Sequence, residues 1–506
     1  MQKITRKCVV KHIIKEPYAT AEGSETTLMT MKINQTPSEL YESLYGILPR
    51  ETRLTGAGGD RVYCRLESAT GPTVVGTTGT DLRENRSFVR LAEVFLRNGI
   101  RVPEILAYSD DFGSYLQSDL GDEPLLKLLA TDRRIELSRA SLAQLVRMQT
   151  VPKEKWLPFV YSQQYSRRMV MWDLNYFKYE FAKPCGAVYD EDSLEEDFLF
   201  FADRLSDYDP MLWGFMYRDF QSRNILIKEE EPYFIDFQGG RRGPCLYDAV
   251  SFLWQAKAGF SREERGELLS YYAGEYSKLR GVEAESVLVN VGKMALLRTL
   301  QVLGAYGFRG LVERKAHFIE SIPAALANLA ELMADGELDD YPELKSVCRQ
   351  LVESRYACLP KKGEGLTVKV FSFSYKKGYP EDLSGNGGGF MFDCRGLHNP
   401  GRYDCYKQLT GLDKEVIDFM EENEEVPQFL DNAFKVVSPS VARYLERGFD
   451  SLQIGFGCTG GRHRSVYCAQ HMAERIAEKF PAARVVLVHR EQGITQDFKN
   501  RRLCKL

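Results

Sequence analysis

Two domains of different class are predicted for this chain of 506 residues: a long α+β domain, then a small α/β domain. Three observations predict that division. A chain of this length exceeds what one hydrophobic core organises. Up to about residue 334, short strand patterns come first and helical patterns follow, the order of an α+β domain. After "ACLPKKGEG" (357–365), where Pro, Gly and Lys occur without periodicity, strand and helix patterns alternate, which argues a largely parallel sheet.

The elements follow in order. Residues 1–34 show little periodicity and read as a disordered leader, with Met29 or Met31 as alternative starts. They carry basic residues but no apolar core and no cleavage site, so export is not expected. The stretch "MKINQTPSELYESLYGIL" begins a helix near Ser38. Residues 50–80 alternate β-branched runs with glycine turns, as antiparallel strands do. Phe88, Leu91, Ala92 and Phe95 stand at i, i+3, i+4 and i+7, one face of a helix that Gly99 and Pro103 stop. "SYLQSDLG" is a strand entering a turn. Residues 124–210 and 261–334 read as helical, with "ALLRTLQVLGAYGF" and "SIPAALANLAELM" as buried helices. The first domain is assigned to 35–345, a linker to 346–365 and the second domain to 366–506. In the second, "LTVKVFSFSY", "GGFMFDCRG", "SLQIGFGC" and "ARVVLVHR" are strands, and 413–447 and 464–479 are helical.

Composition bounds the function. Hydrophobic content of 44% with 27% charged residues is that of a soluble globular chain. A net charge of −4 gives no general attraction to nucleic acid or membrane. No apolar run reaches the roughly 20 residues that span a bilayer, so a cytoplasmic protein is expected. Eleven cysteines form no C-x2-C metal spacing and are expected to be reduced, buried hydrophobes.

The chemistry concentrates in "FMYRDFQSRNILIKEEEPYFIDFQGG". Asp219 and Asn224 have D-x4-N spacing on a loop, and Asp236 ends the apolar run "YFID". Phosphoryl transfer needs these types: a carboxylate to orient the attacking hydroxyl and take its proton, and an amide oxygen and a second carboxylate to hold Mg2+ on the phosphates. The turn "TGAGGDR" (Gly56, Gly58, Gly59, Arg61) could lie over ATP phosphates through its backbone N–H groups. Over about 35–335 the chain resembles the aminoglycoside phosphotransferase (choline kinase-like) family. More narrowly, it resembles the N-acetylmuramate/N-acetylglucosamine 1-kinases of bacterial cell-wall recycling. "GGDRVYCRL", "LQSDLGDEPL", "YRDFQSRNILI" and "FIDFQGGRRGPCLYDAVSFL" carry the likeness. The resemblance implies a bilobal, protein-kinase-like fold with ATP and Mg2+ as cofactors. It makes Asp219 the catalytic base, Asn224 and Asp236 the metal ligands, and Asp248 the brace of the catalytic loop. Two departures stand out. Tyr217 replaces the usual His, in an architectural position. "PTVVGTTG" offers no lysine to the ATP phosphates, a charge that Arg61, Arg83 or Arg86 could supply.

A second constellation lies in "GFGCTGGRHRSVYCA" (455–469). Cys458 and Arg464 have C-x5-R spacing at a strand–glycine turn–helix junction, an anion site built from backbone amides and the helix dipole. A cysteine phosphatase uses such a loop, but no loop supplying an acid for the leaving group is evident. Residues 366–492 resemble the C-terminal domain of the RNase adapter protein RapZ, through "FDCRGLHNPGR", "LTGLDKEVIDFM", "GCTGGRHRSVY" and "VHRE". That resemblance implies a hexosamine-phosphate sensor, with Thr459, Gly460, Gly461, His463, Arg464 and Ser465 at the phosphate and Asp393 and Arg395 beside it. One family ligand, a His after Asn399-Pro400, is Gly401 here, and the adapter's G-x4-G-K-[ST] loop is absent.

The expectation is therefore a kinase acting on a hydroxyl, the anomeric one by resemblance, of an amino sugar such as N-acetylmuramate or N-acetylglucosamine, joined to a domain that binds a hexosamine phosphate. The alternatives are a regulatory RNA-binding adapter with a degenerate kinase domain, or a cysteine phosphatase at the C-terminal loop. RNA is not favoured, because 366–506 holds 20 Lys and Arg against 18 Asp and Glu. Self-association of the adapter's domain implies a homodimer.

Overall fold

A computed structural model describes residues 35–54, 61–162, 164–206, 208–358, 365–380, 382, 389–422, 424–498 and the backbone of 502–505. The expected leader 1–34 and the turn residues Gly56, Gly58 and Gly59 lie outside the described residues. Contacts divide the chain into two compact units, one of residues up to Thr80 with Ala107–Leu116, the other Asp81–Leu106 with Gln117 onward.

The first unit opens on α1 (Pro37–Tyr45), where sequence placed a helix. Its start is a capping box: Thr36 Oγ1 accepts the Glu39 N–H, and the Glu39 carboxylate accepts the Thr36 N–H at 2.7 Å. Strands β1 (Arg50–Leu54), β2 (Val62–Glu67) and β3 (Val74–Thr78) then pair antiparallel, as expected of 50–80. With β4 (Ile105–Tyr108) and β5 (Ser114–Ser118) they make a five-stranded sheet of order β1-β2-β3-β5-β4.

The second unit begins with α2 (Leu82–Arg97). Asp81 caps it by accepting from the Arg83 and Glu84 amides, and Gly99 at φ +74° stops it. Phe88, Leu91, Ala92 and Phe95 are all buried, as their spacing required; each large apolar side chain contributes roughly 1.5–3 kcal/mol. Helices α3 (Arg134–Gln149), α4 (Arg167–Phe177) and α5 (Glu191–Ser206) precede four short strands: β6 (Trp213–Met216), β7 (Ile225–Lys228), β8 (Glu231–Phe234) and β9 (Arg241–Pro244). These pair as β6–β9 and β7–β8, and the chemistry sits between them in sequence. Next come α6 (Leu246–Leu253), α7 (Arg262–Arg280), α8 (Val291–Tyr306), α9 (Ile322–Ala334) and α10 (Pro342–Val352). The stretch Ala284–Val312 around α8 is long and apolar enough to cross a membrane by length and composition, with a mean hydropathy of 1.3, but 56% of that window is buried in the protein.

One boundary is corrected. The linker expected from residue 346 starts inside α10, whose Leu344, Val347, Cys348 and Leu351 are buried. Gln350 exchanges two hydrogen bonds with the backbone of Val188, and Asp197 accepts the Leu344 N–H, so the helix belongs to the first domain's core. The aperiodic stretch that suggested a linker is 357–365, and the apolar spacing across 344–351 continues the helical domain before it.

Farther along lie β10 (Thr367–Ser374), β11 (Gly389–Asp393), α11 (Lys414–Glu421), α12 (Glu425–Glu446), β12 (Ser451–Cys458), α13 (Arg464–Lys479), β13 (Arg484–His489), β14 (Ile494–Asp497) and β15 (Arg502–Lys505). The sheet order is β11-β12-β10-β13-β14-β15. Its first four strands are parallel, as expected; β14 and β15 add an antiparallel edge that sequence did not foresee. Val368, Val370, Ile454, Phe456, Val485 and Leu487 pack with α11, α12 and α13 into its core.

Candidate functional site

Strand β6 runs straight into Tyr217 and the loop 218–224. Arg218 sits at φ +76°, a conformation that costs a non-glycine residue of order 1–3 kcal/mol and persists only when its surroundings impose it. Asp248, in the first turn of α6, imposes it. Its fully buried carboxylate accepts the Tyr217 N–H (Oδ2, 2.8 Å), the Arg218 N–H (Oδ1, 2.8 Å) and Gln149 Nε2 (3.0 Å). Burial pushes its carboxyl up to about 7, and those three donors oppose the rise by favouring the anion.

Beyond the brace, the three residues read from sequence come together. Asn224 Nδ2 donates to the Asp219 carbonyl at 2.9 Å and faces Asp236 Oδ2 at 3.4 Å. The Ile235 N–H bonds the Asn224 carbonyl at 3.0 Å, tying the end of the loop to the residue before Asp236. Asp236 itself is at φ +68°, and Gln238 Nε2 donates to its Oδ1 and to Glu84 Oε1, both at 2.9 Å. The Asp219 side chain is 53% exposed, so it is open to a ligand. Tyr217 is buried under this loop. Its hydroxyl donates to the Ile235 carbonyl and its ring meets Phe220, Phe234 and Phe237 edge-on, the architectural position expected of it.

The sequence reading missed Arg298. From α8 its Nη2 lies 3.6 Å from Asp219 Oδ1, while Nε donates to Ser251 Oγ at 2.9 Å and Nη1 to Gln301. Its side chain is 5% exposed. The available signal was a lone arginine in the apolar run "MALLRTLQVL" (294–303). Arg218 is also paired, its Nη2 lying 3.0 Å from Asp173 Oδ1 on α4. Among the described residues no group of three His, Cys, Asp or Glu side chains forms a metal cluster. Arg61, the residue before β2 in the first unit, places Nη1 3.3 Å from the Tyr63 hydroxyl.

The second constellation closes β12 and opens α13. Thr459 and Gly460 are exposed at the crown of the loop, and a Cβ at Gly460 would meet open space. Gly461 is at φ +67°, beneath Glu491 and the backbone of Ser374. Cys458 is 3% exposed; its Sγ takes the Gly461 N–H at 3.2 Å and lies 3.1 Å from Ser465 Oγ. Arg464 is buried, with Nη1 donating to the Arg395 carbonyl at 2.8 Å and the Leu397 carbonyl at 2.9 Å. That arginine thus ties the loop to the segment after β11. His463 is half-buried, which lowers its pKa, and its Nε2 lies 3.0 Å from the Tyr406 carbonyl. A Cβ on Gly401 would stand 3.3 Å from the His463 ring, so these two positions adjoin. The Arg395 guanidinium pairs with the Asp393 carboxylate, Nη2 donating to Oδ2 at 2.7 Å, and lies 4.1 Å over the Tyr375 ring.

Comparison with known proteins accords with both domains. The phosphotransferase enzyme family profile matches residues 52–282, and the RapZ C-terminal domain profile matches 366–493. A nucleotide-binding protein of Gluconobacter oxydans is 30% identical over 229 residues, 42% of this chain and 69% of that protein. A nucleotide-binding protein of Thermotoga neapolitana is 36% identical over 147 residues, 29% of this chain and 50% of that protein. The chain thus spans between half and about two-thirds of the length of these relatives. Among solved structures, a Plasmodium vivax ethanolamine kinase aligns at 10% identity and a TM-score of 0.40, covering 56% of this chain and 82% of that one. A macrolide 2'-phosphotransferase of Brachybacterium faecium aligns at 14% and 0.39, covering 57% and 96%. The chain thus carries a phosphotransferase enzyme family domain, followed by a RapZ C-terminal domain.

Proposed function

We propose that the chain is an ATP- and Mg2+-dependent kinase that phosphorylates a hydroxyl, the anomeric one, of an amino sugar such as N-acetylmuramate or N-acetylglucosamine in cell-wall recycling, and that its C-terminal domain binds a hexosamine phosphate. The carrying observation is the convergence of Asp219, Asn224 and Asp236 on one braced loop. Asp219 takes the proton of the acceptor hydroxyl as its oxygen bonds the γ-phosphorus and the bond to ADP breaks. Arg298 fixes the carboxylate that does so. The donor set suits magnesium: the Asn224 amide oxygen and the Asp236 carboxylate are hard donors of the kind that hold this ion together with phosphates and water, and their side chains meet, Asn224 Nδ2 lying 3.4 Å from Asp236 Oδ2. When bound, the ion neutralises charge on the transferred group. Gly56, Gly58, Gly59 and Arg61 remain the first unit's candidates for the nucleotide phosphates. Asp219→Asn is expected to lower kcat by at least about 10^2 with a modest change in ATP binding; retention of full turnover contradicts the assignment.

At the C-terminal loop, binding is favoured over hydrolysis. Cys458 is only 3% exposed, and Arg464 spends Nη1 on two carbonyls. An exposed thiolate and a guanidinium turned to the phosphate would serve a phosphatase instead. Amides of Thr459 and Gly460 at the crown and the α13 N-terminus hold the phosphate, with Gly461 shaping the turn and His463 and Ser465 adjoining it. Cys458→Ser is expected to leave hexosamine-phosphate affinity within a few fold in calorimetry, and aryl-phosphate assays to show no release. Release that vanishes in Cys458→Ser refutes this reading.

A further inference from the structure

A cavity of about 330 Å³ opens in the second unit, lined by Lys153, Arg242 and Arg280 together with Glu154, Gln149 and Trp213, and none of the candidate catalytic or metal-binding residues lines it. Its volume is that of a small-molecule pocket. Three cations against one carboxylate leave it a net of two positive charges. Ordinarily such cations find carboxylate partners; these do not. Arg242 lies 4.8 Å over the Trp213 ring and gives one hydrogen to Gln164 Oε1 at 3.4 Å. Arg280 Nη2 donates to the Met211 carbonyl at 3.3 Å, and the exposed Lys153 ammonium has no partner among the described residues. The Trp213 indole adds a buried Nε1–H with no acceptor. The cavity therefore presents an excess of donors and positive charge.

We infer that this cavity is a binding site for a small phosphate-bearing anion. A phosphate monoester carries about −1.5 to −2 charges near neutrality and three acceptor oxygens, matching the excess charge and the uncommitted donors. Its position gives the occupant a route to the catalytic loop. Gln149, in the cavity wall, bonds through Nε2 to the Cys245 carbonyl and to Asp248, the residue that holds the Tyr217 and Arg218 amides.

Tryptophan emission of the full chain does not report on the C-terminal domain, because Trp156, Trp172, Trp213 and Trp254 all precede it, and two of the four, Trp156 and Trp213, line the cavity, so the cavity variants below assign the signal. Titration with inorganic phosphate and, separately, with glucose 6-phosphate at constant ionic strength is expected to give a saturable change with Kd on the order of millimolar or tighter. Lys153→Glu combined with Arg280→Gln, and independently Arg242→Gln, weakens it at least about tenfold, with melting temperatures confirming that the variants fold. Tighter glucose 6-phosphate identifies a sugar phosphate as occupant, and equal affinities identify the phosphate group alone. The inference is overturned by emission that does not saturate, or by equal affinity in wild type and both folded variants.

Discussion

Arg298 shows how one side chain joins distant sequence to the chemistry. It reaches Asp219 from a helix almost eighty positions later, and Ser251 and Gln301 hold it there. That Asp219, Asn224 and Asp236 come together was legible, because the spacing that phosphoryl transfer would require stands in the sequence. Arg298 was not, because nothing local distinguishes a functional arginine in an apolar helix from one that reaches solvent. If it positions the base, Arg298→Gln lowers kcat about tenfold or more and leaves the acceptor KM nearly unchanged, and Arg298→Lys recovers part of the loss. In an Asp219→Asn background the same change has little further effect, because residues acting as a unit are not additive. Additive losses in steady-state kinetics contradict that role. Arg464 teaches the complementary lesson. Its C-x5-R spacing suggests a phosphate ligand, yet Nη1 braces the carbonyls of Arg395 and Leu397, a use that spacing alone does not reveal.

At the scale of elements, long amphipathic segments were legible and the four-residue strands around the catalytic loop were not. α2 and α13 carry several turns of apolar spacing, whereas β6, β7, β8 and β9 have four residues each, too few for a period to register. Their pairing is decided by contacts made after the chain folds. The loop between β12 and α13 was legible through its glycines, and Gly461 is where that matters most. At φ +67°, a Cβ would stand 2.4 Å from Glu491 Cγ and 2.9 Å from the Ser374 backbone nitrogen, which β10 holds in place. Gly461→Ala is therefore expected to destabilise the domain by about 1–3 kcal/mol and to abolish hexosamine-phosphate binding, read by calorimetry. Wild-type affinity in that variant contradicts the role assigned to the turn. Strand β13 ends on fully buried His489, bonded to Ser372 Oγ and Gln470 Oε1, where burial lowers its pKa to about 4 from 6.5. Below pH 6.5 the unfolded chain binds a proton that the folded one refuses, so this group's contribution is full above that pH and is lost as pH falls toward 4. Hydrogen exchange across 366–498 should show protection falling over that window, on the order of 1.4 kcal/mol per pH unit at most, and a flatter profile in His489→Gln. Identical profiles rule the histidine out.

For the whole molecule, the order of two domains and their classes was legible, because an aperiodic stretch separates two different patterns of strand and helix. The boundary was placed too early, since α10 is charged on its surface and apolar only on the face it buries. Family profiles on both domains establish a phosphotransferase domain joined to a RapZ C-terminal domain. The proposed functions make that fusion coherent, one domain forming a sugar phosphate and the other binding one. Which acceptor the first domain uses is the central claim, and one measurement tests it most directly: transfer of labelled γ-phosphate from ATP in magnesium to a panel of free sugars by the full chain, with Asp219→Asn as control. The account predicts transfer to an N-acetylated amino sugar, at its anomeric oxygen, and its collapse in Asp219→Asn. Absence of transfer to every amino sugar, N-acetylated or free, by folded wild-type protein would contradict it.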